Sequence, residues 1–326
     1  MEPGQRHVKG PASPTDEEEA SSNFIMNCLQ IITKTLVGII YSIYSIIHLA
    51  YITIYPVEKS LKNKVILVTG AGRGLGREMS LQLAKEGAML VCVDINADGV
   101  KETADMINGG RTGKDAVADH YTTNVAEPNQ VNELARTVEE KWGKVDVLIN
   151  NAGIVASAPL MENTDEQIKR MIDVNLVSHF WMVRAFLPAM KKRNEGHIVA
   201  TSSVAAFTCA ANIVPYAATK YGVTGLMASL REELRVNPSN NIKFTTVHPF
   251  FLDSAPINVK HWEVKSALPI ISIPQVASAA IRAIKRDEVI VTVPEILRLL
   301  MTMLWIIPQK SADFWRDTFN TKINNV

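Results

Sequence analysis

The sequence predicts an α/β fold: a single doubly wound parallel sheet with helices on both faces, preceded by a hydrophobic N-terminal helix. Three observations carry that expectation. Short runs of branched apolar residues recur as buried parallel strands; the first runs into a glycine cluster that opens a helix; and a long apolar stretch precedes them all.

Lys64-Val65-Ile66-Leu67-Val68 is the first strand, and it leads into Thr69-Gly70-Ala71-Gly72-Arg73-Gly74-Leu75-Gly76, with a helical stretch following from Arg77. Glycine at 70 permits a tight turn, glycine at 74 lets backbone approach a pyrophosphate, and glycine at 76 lets helix and strand pack closely. The phosphates would then sit on unpaired N–H groups at the helix start. The second strand, Met89-Leu90-Val91-Cys92-Val93-Asp94, closes on an acid. The Asp94 carboxylate can accept both hydroxyls of an adenosine ribose and would repel a 2′-phosphate, so NAD is expected over NADP. Ile95 and Asn96 stand where a phosphate-binding cation would be needed, leaving Arg73 as the residue that can reach a phosphate from the other side. This is a Rossmann-type arrangement.

Val145-Asp146-Val147-Leu148-Ile149 is a further buried strand and delivers Asn150-Asn151-Ala152-Gly153. Small residues there let the backbone pass under a nicotinamide ribose, and Asn150 is placed to pin the adjoining strand. Asn175 falls on a helix beside the cleft. Gly196-His197-Ile198-Val199-Ala200-Thr201-Ser202-Ser203 is the next strand, and Tyr216-Ala217-Ala218-Thr219-Lys220 follows. Four residues is one helical turn, so an ammonium stands beside a phenol on one face. A free tyrosine titrates near ~10, and a cation a few ångströms away favours the phenolate.

These motifs, in this order over about residues 64–293, resemble the short-chain dehydrogenase/reductase family. The resemblance implies that Tyr216 exchanges the substrate proton, that Lys220 depresses its pKa and binds the nicotinamide ribose, that Ser203 holds the substrate oxygen, and that Asn175 anchors a relay water. Ser202 competes for the serine role, but the thirteen-residue spacing to the tyrosine selects Ser203, since neighbours on a strand face opposite ways. It also implies that the cofactor contacts the loop through Leu75 and meets Asn124-Val125 near its adenine, where the family commonly has aspartate. After the strand Phe244-Thr245-Thr246-Val247 comes His248-Pro249-Phe250-Phe251-Leu252-Asp253-Ser254. Pro249 and Ser254 would cup the nicotinamide, Ser254 standing at a usual threonine and Phe250 at a usual glycine; Phe250 and Phe251 would face substrate. His248 reads as a packed strand-end residue.

The ends of the chain differ in character. Residues 1–22 are proline-bearing and acidic, a composition expected to stay disordered. Residues 23–57 form an apolar helix; its cleanest part, 35–55, would be roughly 31 Å long, enough to cross a bilayer. The acidic lead-in and the following Tyr55-Pro56-Val57-Glu58-Lys59 do not suit a cleaved signal, so an uncleaved anchor is expected, with Lys59, Lys62 and Lys64 favouring a cytosolic catalytic domain. The catalytic domain would occupy 58–293, and the amphipathic segment 294–326, carrying Trp305 and Arg298, reads either as lying against the membrane or as a helix that covers the substrate pocket or makes a dimer contact. Together with Pro249-Phe250-Phe251 these ends resemble a membrane-associated branch of the family that oxidises retinoid or steroid hydroxyls. That implies the endoplasmic reticulum membrane or lipid droplets, a lipophilic small-molecule substrate and a homodimer.

The length of 326 residues leaves about 270 for one α/β domain once tail and anchor are set aside. A net charge of +1 gives no electrostatic case for nucleic acid. Cys28, Cys92 and Cys209 are scattered and form neither a disulfide framework nor a metal site. The reading is NAD-dependent oxidation of a lipophilic alcohol, retinol-type first and hydroxysteroid second. The alternatives are NADP-linked ketone reduction and a catalytically silent membrane scaffold, which the intact Asn175/Ser203/Tyr216/Lys220 set opposes.

Overall fold

The computed structural model describes residues 14–110, 117–208, 210–253, 262–265, 269–319 and 322–325. The chain divides into two compact units, Met1–Val57 and Glu58–Val326. Among its described residues the first contains one helix, α1 (Pro14–Ile54), which takes in the acidic run expected to belong to the tail. Its segment Met26–His48, 23 residues, is long and apolar enough to cross a membrane by length and composition. The hydroxyls of Thr35 and Ser42 donate to the carbonyls of Ile31 and Gly38, one turn back, which satisfies them without water.

In the second unit the elements alternate as the sequence predicts. Strand β1 (Val65–Thr69) is followed by α2 (Gly74–Lys85), β2 (Met89–Asp94), α3 (Ala97–Asn108), β3 (Ala118–Thr122), α4 (Pro128–Trp142) and β4 (Val147–Asn150). Then come α5 (Asp165–Ile172), a π-helical turn (Asp173–Val177), α6 (Ser178–Arg193), β5 (His197–Thr201), α7 (Val214–Arg235), β6 (Lys243–Pro249), β7 (Trp262–Lys265), α8 (Ile273–Lys285) and β8 (Ile290–Val293). Helices α9 (Ile296–Ile306) and α10 (Gln309–Phe319) and strand β9 (Lys322–Asn325) finish the chain, β9 pairing antiparallel with β7.

The main sheet has the order β3-β2-β1-β4-β5-β6-β8 and every pairing in it is parallel. Strand order reverses between β1 and β4, so a crevice opens at the carboxyl ends of those two strands, the place where such sheets bind ligands. Both faces are covered. Ile66 and Val68 pack with α2 and α8 residues such as Met79, Leu83, Val276 and Ile284, whereas Val65 and Leu67 pack with Val131, Met182, Phe186 and Val223 from α4, α6 and α7. Burial on two faces explains why these strands read as unbroken apolar runs.

Two features lie at the margins. The C-terminal helix α9 inserts Leu297, fully buried, into the core, with Leu300 and Leu304 packed behind it, while Leu299, Met303, Trp305 and Ile306 stay exposed. At the other end, the start of the unit is clasped to the α8–β8 turn. Lys59 N donates to Lys285 O at 2.9 Å, Glu58 pairs with Lys285 and Arg286, and Lys59 Nζ reaches Asp287 at 2.5 Å and His197 Nδ1 at 2.9 Å. His197 Nε2 lies 2.8 Å from Thr245 Oγ1, and that hydroxyl donates to Glu288 O.

Candidate active site

The glycine loop is built by close approach. Gly70 (φ +68°) turns the chain off β1, and a Cβ there would lie 2.9 Å from Ala152 Cα. A Cβ on Gly76 would stand 2.0 Å from Gly70 O, so α2 rests directly on the turn that precedes it. Gly72 makes room for Asp94: its N–H donates to Asp94 Oδ2 at 2.8 Å, and an added Cβ would meet the carboxyl carbon at 2.9 Å. The other oxygen, Oδ1, accepts from Asn96 N at 2.9 Å. A Cβ added at Gly74 (φ +57°) would meet nothing within 4 Å, so the start of α2 is open to the crevice.

A pyridine dinucleotide fits these groups. The first N–H groups of α2 lack helical acceptors and lie at the positive end of its dipole. Two of the roughly four lone-pair sites on the Asp94 carboxylate remain for ribose hydroxyls. Arg73, at the N-cap of α2, is exposed, and its guanidinium has no hydrogen bond or ion pair among the described residues. Asn124 Oδ1 accepts from Ala126 N at 3.1 Å, and Val125 is buried at the end of the same connection. Leu75 is buried in the core beneath the loop, so its backbone rather than its side chain is left for a phosphate. Ser254 lies outside the described residues.

Asn151, not Asn150, pins the adjoining strand. Asn151 Nδ2 donates to Thr69 O at 3.0 Å, its Oδ1 accepts from Thr201 Oγ1 at 3.2 Å, and the N–H groups of Asn151 and Ala152 both donate to Thr69 Oγ1. Alternation along the strand is the reason: Asn150 stands two residues after Leu148 and shares its side of the sheet, towards α6, so only its neighbour reaches β1. Gly153 completes the floor, 3.4 Å from Asn175 Oδ1 and 3.7 Å from Lys220 Nζ as measured from a Cβ position.

Across the crevice the four polar residues come together. The π-helical turn carries Asn175, fully buried; its Oδ1 accepts from Ile154 N and its Nδ2 donates to Ile154 O, each at 2.8 Å, and it also reaches Thr219 Oγ1 at 3.3 Å. The Ser203 hydroxyl is close enough to the Tyr216 phenol to act against the rise that burial imposes on it. Ser203 Oγ also accepts from Ala205 N at 3.1 Å. Ser202 points the other way, donating to Lys220 O at 2.9 Å and meeting Thr224 Oγ1 at 3.0 Å. The serine chosen by spacing is therefore the one beside the tyrosine. Lys220 Nζ lies 5.5 Å from the Tyr216 ring centroid and donates to Thr201 O at 2.9 Å.

Electrostatics refine the expectation drawn from the phenol–ammonium pair. Burial pushes the Tyr216 phenol above its usual range, with the Ser203 hydroxyl opposing, and burial brings Lys220 down to about 8. In the protein alone desolvation thus dominates both groups.

The substrate wall is apolar. Phe251 packs with Tyr216, Ala205, Ile213 and Ala217. Phe250 instead lies in the main core, 8% exposed, its N–H on Val293 O and its ring edge-on to Phe251 at 4.9 Å. Pro249 O is 3.5 Å from Ser203 Oγ. His248 is packed as expected: its ring lies 4.4 Å from Phe207, its Nδ1 is 3.0 Å from Ser203 O, and burial lowers it to about 4. Trp305 Nε1 donates to Phe207 O at 3.1 Å, tying α9 to this wall.

Some supporting residues carry no motif. Thr69 serves both sides of the crevice, and Arg77 braces the glycine loop through Gly72 O (2.5 Å), Gly99 O (3.2 Å) and Thr103 Oγ1 (3.0 Å). A threonine closing a strand and an arginine in the first turn of the following helix are the signals present in the sequence, and both are commonplace.

A phosphate cradle facing a half-buried phenol and a buried ammonium across one crevice serves hydride exchange with a nicotinamide, and the molecule is an NAD(P)-dependent oxidoreductase with a small-molecule substrate. The profile of the short chain dehydrogenases matches residues 64–264. The chain is 34% identical to human retinol dehydrogenase 10 over 277 residues, covering 78% of this chain and 81% of that protein. It is 30% identical to mouse estradiol 17-beta-dehydrogenase 11 over 284 residues, covering 87% and 93%. Among solved structures, a short chain dehydrogenase/reductase from Burkholderia phymatum in complex with NAD superimposes with a TM-score of 0.66 at 25% identity, over 75% of this chain and 93% of that one. A metagenomic short-chain oxidoreductase in complex with NADP gives 0.59 at 26% identity, over 72% and 96%. The chain belongs to the short chain dehydrogenase family.

Proposed function

We propose that the protein oxidises a hydroxyl of a lipophilic alcohol with NAD, a retinol-type alcohol first and a hydroxysteroid second. The observation that carries this reading is the Tyr216 phenol, with the Ser203 hydroxyl acting on it and the buried Lys220 ammonium 5.5 Å from its ring centroid. Ser203 orients the substrate hydroxyl, and Tyr216 takes its proton. Lys220 would hold the nicotinamide ribose and stabilise the phenolate while it exists, and Asn175 fixes the segment at Ile154 that borders the crevice. The bound dinucleotide supplies the hydride acceptor and a positive charge that favours the phenolate further.

Asp94 supports NAD, because a 2′-phosphate would meet its carboxylate. The lipophilic substrate is supported by the apolar wall at Phe251, the partly exposed α9 beside it and the activities named for the relatives. The apolar α1 supports attachment to the endoplasmic reticulum membrane or a lipid droplet, with the catalytic unit in the cytosol. Pairing of two chains through the faces of α6 and α7 is part of the reading, and light scattering on detergent-solubilised protein tests it. One observation favours a second reading: the unpaired, exposed Arg73 can accept a 2′-phosphate, which would make the enzyme an NADP-linked ketone reductase.

The experiment is a comparison of NAD with NADP on solubilised protein against retinoids, hydroxysteroids and fatty alcohols. Preference for NAD with turnover of a retinoid or steroid is expected. Failure to bind either dinucleotide sinks the reading, and a preference for NADPH with a ketone selects the second one.

A further inference from the structure

Two buried polar side chains, at the carboxyl end of β4 and the start of α6, are not used by the reaction outlined above. Asn150 is 2% exposed and His179 is 1% exposed, and neither the amide of the one nor either ring nitrogen of the other has a hydrogen-bond partner among the described residues. A buried polar group left dry forfeits the hydration it had in the unfolded chain, so a partner is expected for both.

Their positions converge. In a parallel βαβ unit the helix runs back against its strand, so the first turn of α6 is level with the carboxyl end of β4. Asn150 ends β4 and His179 is the second residue of α6. Asn150 shares a sheet face with Leu148, which packs with Met182, Val183 and Phe186 of α6. Helix α7 closes the third side: Asn175, one turn before His179, touches Thr219, and Leu176 abuts Gly222. Lys220 lies on this segment of α7, with one of its three ammonium hydrogens on Thr201 O. Its charge adds to burial in holding the His179 imidazole neutral, at about 3.

Resting on the dehydrogenase reading, we propose that Asn150 and His179 together hold a buried water that hydrates the Lys220 ammonium, making His179 a positioning residue for the catalytic lysine. Both hydrogens of such a water find an acceptor. Lys220 Nζ–H donates to the water oxygen; the two water hydrogens go to the acceptor nitrogen of neutral His179 and to Asn150 Oδ1. A cation hydrated in this way keeps its charge to higher pH than one in a dry pocket. The other titratable groups in electrostatic or ring contact with the site are Tyr216 on α7 itself and His248 on β6.

Two measurements decide it. A high-resolution crystal structure of the wild-type enzyme with dinucleotide should show a water within about 3.2 Å of both a His179 ring nitrogen and Lys220 Nζ; a dry or unconnected site overturns the proposal. The pH dependence of the dinucleotide dissociation constant should then move. In His179→Leu, the alkaline loss of affinity should begin about one pH unit or more lower than in wild type, and His179→Gln, which can still hold water, should restore most of it. A folded His179→Leu protein with an unmoved profile also overturns the proposal, because a packing role alone lowers stability without moving that limb. Wild-type protein that binds no dinucleotide at all would instead defeat the function proposed above, which separates the two failures.

Discussion

At the scale of single residues, the phenol and the ammonium are the groups whose chemistry can be read most directly. Tyr216→Phe removes one hydroxyl from a packed position, so turnover should fall by about 10²–10⁴-fold while dinucleotide affinity survives; a variant retaining near-wild-type turnover would reassign the proton-transfer group. Lys220 gives a second test, on stability. Its pKa falls from 10.5 in the unfolded chain to about 8 in the fold, so between those values the unfolded state binds more protons. Stability of the ligand-free protein should therefore rise with pH across about 8–10.5, recovering a penalty on the order of a few kcal/mol. In Lys220→Met that rise should flatten and the protein should be more stable below pH 8, as followed by chemical denaturation at several pH values. Much of this is legible in the chain: Tyr216, Lys220 and Ser203 are separable by spacing alone, and strand alternation decides between Ser202 and Ser203. The same alternation separates Asn150 from Asn151 only once β4 is paired, because the side a strand's last residue faces is ambiguous until then. Nor does spacing reveal that burial raises the phenol, a property of the assembled interior.

At the scale of elements, the loop between β1 and α2 shows how differently neighbouring glycines act. Gly76→Ala places a carbon against Gly70 O, a backbone atom that cannot move aside, so the variant should lose about 3 kcal/mol or more and roughly 5–10 °C in Tm by calorimetry. Gly74→Ala meets no atom and bears only the left-handed strain of about 1 kcal/mol. Its dinucleotide dissociation constant should nonetheless rise at least about tenfold, because the added carbon occupies the face presented to phosphate; unchanged affinity in a titration would remove the phosphate assignment from this loop. The strands β1, β2, β4, β5 and β6 and the glycine loop are readable because buried parallel strands repeat one simple composition. The π-helical turn at Asn175 and the docking of Leu297 are not, since both arise from contacts distant in sequence. Helix α1 extends through the acidic run for a related reason: Asp and Glu are accepted in a first helical turn, so composition alone misplaces the boundary.

At the scale of the whole molecule, three imidazoles set the response to acid. Burial holds His179 at about 3, His248 at about 4 and His197 well below 6.5. Each is neutral in the fold and free to protonate in the unfolded chain, so stability should be highest above about pH 6.5 and fall as pH drops from there towards 4. Thermal unfolding between pH 7.5 and 5 checks this, and a flat Tm would refute it. The apolar span Met26–His48 gives the other prediction at this scale. A chain starting at Glu58 should bind dinucleotide as the full chain does yet no longer float with lipid vesicles.

The clasp formed by Glu58 and Lys59 ties the leading end of this unit to Lys285, Arg286, Asp287 and His197, where strands begin. The phenol and the glycine cradle hang from the opposite rim, where strands end, about 16 Å away across five residues of sheet. Tension on the leader is therefore absorbed by ionic pairs on the side of the sheet remote from the chemistry, and a different tether could be spliced on at residue 57 without retuning catalysis.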